Sequence, residues 1–159
     1  MIKLVASDID GTLLPEGTDQ INPEMFEVIR ELKKKDILFA AASGRHYSGM
    51  SRLFEPVKKD MIFITENGAY VNCRGYTMLD QTLEWKDVRD WVREVRKIPG
   101  TSFTLDTKDG FYTESRDPEF IALVREGYKS VLNLEEDVLA EERAVNKVAL
   151  YHKTDIKEI

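Results

Sequence analysis

Residues 4–13, LVASDIDGTL, run an apolar strand straight into two aspartates one residue apart, Asp8 and Asp10, and then turn on Gly11-Thr12. Two carboxylates that close repel each other unless something cationic lies between them. Three readings compete. Aspartates in a turn can cap backbone amides, which is the first reading of such a string taken alone. A calcium loop of EF-hand type fails on spacing, because its sixth position needs glycine and is Leu13, and its twelfth needs glutamate and is Asp19. It also needs a helix before it, where this chain has a strand.

The third reading is magnesium-assisted phosphoryl transfer. A carboxylate can act as nucleophile and split phosphate-ester hydrolysis into two steps. Its charge repels the incoming phosphate, so a hard divalent cation such as Mg²⁺ must offset it. A second acid protonates the leaving oxygen and then deprotonates the attacking water. The neighbouring like charge favours a raised pKa for one of the two.

Working outward, residues 2–7 read as a strand buried on both faces. Asn22-Pro23-Glu24 gives an N-cap, a proline at the first helical position and an acid in the first turn, and Met25, Phe26, Ile29 and Leu32 follow at helical spacing. Lys33–Lys35 suits the carbonyl end of that helix. ILFAAA (37–42) is a second strand running into Ser43-Gly44-Arg45, a short helix passes through Met50, Leu53 and Phe54, and MIFIT (61–65) is a third strand. Strand, helix, strand, helix, strand predicts a parallel sheet with right-handed crossovers. In open sheets of this class ligands sit beyond the carboxyl ends of the strands. Those ends carry Asp8 and Asp10, Ser43, and Glu66-Asn67-Gly68.

After about residue 75 the rhythm changes. Val88, Trp91, Val92, Val95 and Ile98 make a helical stripe ending at Pro99-Gly100, 102–106 and 111–115 read as a hairpin, and 146–151 as a further strand. Asp117-Pro118-Glu119 starts a helix carrying Ile121, Val124, Tyr128 and Val131. The expectation is an α/β chain of two parts: residues 1–80 a partial Rossmann-like core, and 81–159 an α+β lobe whose antiparallel sheet is half exposed with helices on its other side.

The totals fit. The 159 residues are 42% hydrophobic, enough for a folded core, and carry a net charge of −6, which argues against a nucleic-acid surface. No run of about 18 apolar residues is present to span a bilayer, and Asp8 interrupts the apolar opening too early for a leader. A single cysteine, Cys73, excludes an internal disulfide. These features read as a soluble, cytoplasmic protein with a small anionic ligand, no nucleic-acid or membrane partner, and a sheet edge that would encourage a homodimer.

Asp8-Ile-Asp10-Gly11-Thr12-Leu13 after an apolar strand, Ser43 ending the next strand, and TENGAYV (65–71) together resemble the haloacid dehalogenase-like (HAD) phosphatases, in particular the Cof-type (subfamily IIB) sugar-phosphate phosphatases. The resemblance implies a Rossmann-like core with an α+β cap inserted after the second motif. It implies Asp8 as nucleophile and Mg²⁺ ligand, and Asp10 as general acid/base whose backbone carbonyl also binds the metal. Ser43 would bind the transferred phosphoryl with the amide of Gly44, placed at a helix start, and Asn67 would lie near the substrate. The activity implied is Mg²⁺-dependent hydrolysis of a small phosphorylated metabolite through an aspartyl-phosphate. A phosphotransferase with the same intermediate, or a non-catalytic binding remnant, is the alternative.

The family also uses a lysine and a second acidic cluster after the cap. No such cluster is found here, and Lys147, Lys153 and Lys157 lack a recognisable context. The expectation is therefore a chain shortened after the cap, without its C-terminal core segment, with weak or no turnover and an unpaired, apolar sheet edge. Other residues read blandly. His46 follows Ser43-Gly44-Arg45 at a helix start, where it could border the site, although a surface histidine is the simpler reading, and it is too far in sequence from His152 for a metal pair. Trp85 and Trp91 are packing residues, Cys73 is inert, and Glu135-Glu136-Asp137 is a solvated face; the resemblance would let Phe111, Tyr112 or Arg116 of the cap touch substrate, although hairpin surface is the simpler reading of each.

Overall fold

A computed structural model describes residues 2–15, 17–128 and 130–154. The chain divides into two compact units between Asp80 and Gln81.

The first unit contains β1 (Leu4–Asp8), α1 (Pro23–Lys34), β2 (Leu38–Ala42), α2 (Tyr47–Leu53), β3 (Met61–Thr65), β4 (Tyr70–Cys73) and β5 (Tyr76–Asp80), in one sheet of order β1-β2-β3-β4-β5. The first three strands are parallel, and β4 and β5 each run antiparallel to the strand before. The start of α1 is set by Asn22, whose side chain accepts the Glu24 amide, and its last turn carries Lys33 and Lys34 against the carbonyl end. Alternation along the strands sends Val5, Phe39, Ala41, Met61 and Phe63 to one face, where Ile29 of α1 and Met50 of α2 close over them with Phe54. Phe63 meets Tyr47 and Phe54 edge-on, with ring centroids 5.6 and 6.1 Å apart.

Two features differ from the sequence expectation. The first strand is not buried on both faces: among the described residues it pairs with β2 alone, so it forms an edge of the sheet and leaves Leu4 50% exposed. An apolar run reports the surroundings a strand is suited to, and says nothing of whether a neighbour is there. The β4–β5 hairpin, turning on Arg74-Gly75 with both φ positive (53° and 89°), carries no burial alternation in β5, where all five residues are exposed.

The second unit holds α3 (Trp85–Val95), β6 (Thr101–Thr107), β7 (Gly110–Thr113), α4 (Pro118–Ala122), β8 (Leu132–Leu134) and β9 (Lys147–His152), with sheet order β8-β7-β6-β9. β6 is antiparallel to β7 and β9, while β7 and β8 are parallel. This sheet is covered on both faces rather than half exposed. Val88, Val92 and Val95 of α3 pack on Phe103 and Leu105, and Phe120 and Val124 pack on Phe111 and Leu132 on the other side. The helix from Pro118 is shorter than its apolar spacing predicts. It widens into a π turn over Leu123–Gly127, and Val131 is left 51% exposed as the chain turns to place Leu132 beside Phe111. Gly110 permits that approach: the Val131 carbonyl lies 2.9 Å from where its Cβ would stand.

Trp85 and Trp91 do pack, Trp91 edge-on to Phe103 at 5.8 Å. Phe111 is core rather than hairpin surface, and Tyr112 lies under the Arg143 guanidinium at 4.2 Å. Arg116 donates to the backbone carbonyls of Glu114 and Glu135, so its fork is used locally. The acidic run is a paired surface rather than a bare one, with Glu135 on Arg143 and Asp137 on Arg96. Cys73 is a half-buried free thiol.

Candidate active site

Strands β1 and β2 run in a register that sets Asp8 beside Ala42, so their carboxyl ends stop at one level. The chain then coils tightly. The Ile9 carbonyl accepts the amides of Thr12, Leu13 and Leu14, and the Ile9 side chain is fully buried. Anchoring Ile9 inward leaves the two flanking aspartates outside it.

They have different company. The Asp8 side chain receives a long contact, 3.5 Å, from the Thr12 hydroxyl. Asp10 is gripped: the Ser43 hydroxyl donates to it at 2.9 Å, Arg45 Nε donates at 2.9 and 3.2 Å to its two oxygens, and Arg45 Nη2 lies 2.7 Å away. Ser43 is itself held by the Arg45 amide, which donates to its Oγ at 3.2 Å. Arg45 is the site residue that sequence reasoning missed. The Ser43-Gly44-Arg45 string was visible, but which carboxylate its guanidinium would meet is fixed by the strand register.

Partial burial pushes the Asp10 carboxyl up, but the hydrogen bonds from Arg45 and Ser43, with the charge of Arg45, outweigh it and hold Asp10 below the usual carboxylate range. The raised pKa expected for one of the pair is therefore not found at Asp10. The sequence supplied the like charge and hid the cation that answers it.

An open pocket of about 320 Å³ lies at the strand ends, and Asp8, Ser43, Gly44 and Asn67 line it together. Asp10 is not among its walls. Gly44 is not at a helix start: α2 begins at Tyr47, capped by His46, whose Nδ1 accepts the Ser48 amide at 3.1 Å. That cap is buried, 4% exposed, not the surface histidine expected. Glu66, Asn67 and Gly68 take successive positive φ values of 52°, 55° and 97°, a strained turn that swings the Asn67 amide over Gly44. His152 is elsewhere, in the second unit, with Nε2 3.2 Å from the Pro99 carbonyl.

For a divalent cation the exposed Asp8 carboxylate is a suitable oxygen donor, whereas the Asp10 carboxylate is occupied by Arg45. Mg²⁺ needs one or two carboxylates and completes its shell with water and substrate phosphate, so the Asp8 carboxylate meets the minimum. Among the described residues there is no group of three or more His, Cys, Asp or Glu that could hold a metal. Lys147 and Lys153 lie in the second unit, paired with Asp106 and with Asp117 and Glu119; Lys157 lies outside the described residues.

Residues 5–159 match the profile of the haloacid dehalogenase-like hydrolases. The chain belongs to that family. It is 25% identical over 127 residues to the 5-amino-6-(5-phospho-D-ribitylamino)uracil phosphatase YbjI of Escherichia coli K12, covering 80% of this chain and 47% of that protein. A crystal structure from Eubacterium rectale superposes with a TM-score of 0.84 at 30% identity, covering 99% of this chain and 60% of that one. The fold is shared with the HAD subclass IIB sugar phosphatase BT4131 (TM-score 0.67, 19% identity, 88% of this chain and 55% of that one). The chain thus spans about half the length of the curated relatives it matches. No helix among the described residues is long and apolar enough to cross a membrane.

Proposed function

We propose that this chain carries the nucleophile-bearing part of a Mg²⁺-dependent phosphatase that acts in the cytoplasm on a small phosphorylated metabolite of the sugar-phosphate class. One observation carries the reading: Asp8, Ser43, Gly44 and Asn67, from the ends of three adjacent strands, line one pocket. A bound Mg²⁺ would offset the negative charge of Asp8 and of the phosphoryl group. The chain's own residues supply the rest. An Asp8 oxygen attacks phosphorus as the ester P–O bond breaks, leaving an aspartyl-phosphate. Ser43 and Gly44, which line the same pocket, would hold a phosphoryl oxygen. Asp10 gives its proton to the leaving oxygen, then takes one from the water that attacks phosphorus and frees Asp8.

An acid kept ionised by Arg45 and outside the pocket walls is a poor proton donor, so the Arg45 fork must release Asp10 and its carboxyl must turn into the pocket before that step. This contact, with the lack of a metal-binding cluster among the described residues, favours weak turnover by the chain alone and keeps a phosphate-binding role as the second reading. The test is phosphate release from sugar phosphates with Mg²⁺, with Asp8→Asn as control. Slow release abolished by Asp8→Asn supports the phosphatase. No release, with a Mg²⁺-dependent fluoride phosphate mimic still bound, supports the binding role. Release that survives in Asp8→Asn refutes the assignment of the nucleophile.

A further inference from the structure

Among the described residues that line the pocket, only Ser43 and Asn67 carry a side-chain hydrogen-bond donor. The Ser43 hydroxyl gives its one proton to Asp10 at 2.9 Å. Asn67 is differently placed. Its carboxamide is exposed and makes no hydrogen bond with any described residue, so two N–H donors and one oxygen acceptor are uncommitted. The backbone there, with φ of 55°, would suit glycine at least as well, as it does at Gly68 alongside. What asparagine adds is the carboxamide. Its mounting is firm: the Ser43 amide donates to the Ile64 carbonyl at 3.0 Å, the Glu66 amide to the Arg45 carbonyl at 3.2 Å, and the Ala69 amide to the Glu66 carbonyl at 3.2 Å. These bonds tie the ends of β2 and β3 to the turn that carries Asn67. The turn folds it back on Gly44, where its Oδ1 comes nearest and its Nδ2 stands farther off, 3.7 Å from where a Cβ would be. A polar group fixed by such a frame loses little freedom on meeting a ligand.

We propose that Asn67 is a specificity residue of this pocket and reads a hydroxyl on the carbon next to the ester carbon of the substrate. The proposal rests on the phosphomonoester reading above and narrows it to phosphate esters of sugars and polyols that carry this vicinal hydroxyl. Strand spacing sets the reach. Asp8, Ser43 and Asn67 stand at or just beyond the ends of β1, β2 and β3, neighbouring strands that lie about 4.8 Å apart. A phosphoryl group held between Asp8 and Ser43 leaves Asn67 one strand farther on. That is the span from phosphorus to a hydroxyl one carbon beyond the ester. A hydroxyl also matches both halves of the carboxamide, since its proton goes to Oδ1 and its oxygen accepts from Nδ2. An alkyl phosphate without that hydroxyl displaces water from the carboxamide and returns nothing, which is how polar sites reject such analogues. The pocket is open to solvent, so the discrimination here is about tenfold, well short of a closed site.

The test needs binding and no turnover. Hydroxyethyl phosphate is compared with ethyl phosphate, which lacks only the hydroxyl, and with inorganic phosphate as the reference for the phosphoryl position. Each is titrated with Mg²⁺ into the nitrogen-labelled chain and followed by NMR. All of them should move the backbone amides of Ser43 and Gly44. Only hydroxyethyl phosphate should move the Asn67 side-chain amide pair, and it should bind about tenfold more tightly than ethyl phosphate. Asn67→Gly keeps a left-handed backbone without strain and should remove that preference, with circular dichroism and the affinity for inorganic phosphate unchanged. Equal binding of the two esters to the native chain overturns the proposal and leaves the phosphate site standing. So does a preference that survives Asn67→Gly, or a loss in that variant shared equally by every ligand, which is what a purely structural asparagine would give. If no ligand moves Ser43 or Gly44, the phosphate site itself is refuted and the inference falls with it.

Discussion

Gly44→Ala tests the wall of the pocket most directly. A Cβ at Gly44 would stand 2.6 Å from Asn67 Oδ1 and 3.4 Å from its Cγ. The first distance is well inside contact, and the backbone at 66–68 is already in a left-handed run, so the Asn67 side chain must give way. Moving it off its rotamer costs about 0.5–1.5 kcal/mol. Against this, replacing glycine by alanine where the backbone is compatible stabilises by about 0.4–1 kcal/mol through the unfolded chain. The φ at Gly44 lies outside the left-handed region, so the second effect operates. The single substitution should therefore sit near neutral, within about 1 kcal/mol, and its sign alone decides nothing. The decisive quantity is the cycle with Asn67→Ala. With the amide gone, Gly44→Ala should become stabilising, and the two backgrounds should differ by about 1 kcal/mol. For a unit of this size that corresponds to about 4–8 °C in Tm, read by far-UV circular dichroism. Equal effects in both backgrounds would show that the Asn67 amide does not lie over Gly44, and the pocket geometry would be wrong.

Arg45→Met should move the Asp10 carboxyl upward, because burial then acts without the guanidinium, and a carboxylate-resolved NMR titration reads the shift directly. The sign of the accompanying stability change follows from linkage. A folded pKa below the unfolded one gives stability that is present above the ordinary carboxylate pKa, about 3.9, and lost as pH falls through the folded value. The variant should lose that part of the acid dependence, and an unchanged Asp10 titration would refute the fork. In the second unit, Lys147→Met removes the cation 3.1 Å from the Asp106 carboxylate, which is 1% exposed, and should cost about 3–5 kcal/mol in urea denaturation. Adding Asp106→Leu should recover most of it, and failure to do so would show that the pair is not what is being broken.

Much of the first unit was legible because its signals are local. A cap at Asn22, a proline behind it and lysines at the far end define α1 whatever surrounds it. Short apolar runs ending in Asp8, Ser43 and Glu66 were enough to place three strand ends on one rim. The hairpin of β4 and β5 was not legible, since its outer strand faces solvent throughout and has no alternation to read. The burial of His46 was missed because a lone histidine carries no burial signal of its own.

Local chemistry, carried by side chains within a few residues of each other, is what the amino-acid order determined: an aspartate pair after a strand, a serine after the next, and the family they belong to. Three-dimensional register decided the rest. Only the pairing of β1 with β2 brings Arg45 onto Asp10, 35 residues earlier in the chain, and so reverses the direction of that carboxyl's pKa. Only the sheet order shows that, among the described residues, β1 is an edge. The physical reason is the same in each case: electrostatics and burial depend on neighbours in space, and the apolar pattern of a strand records the cover it is built for, not whether that cover is there.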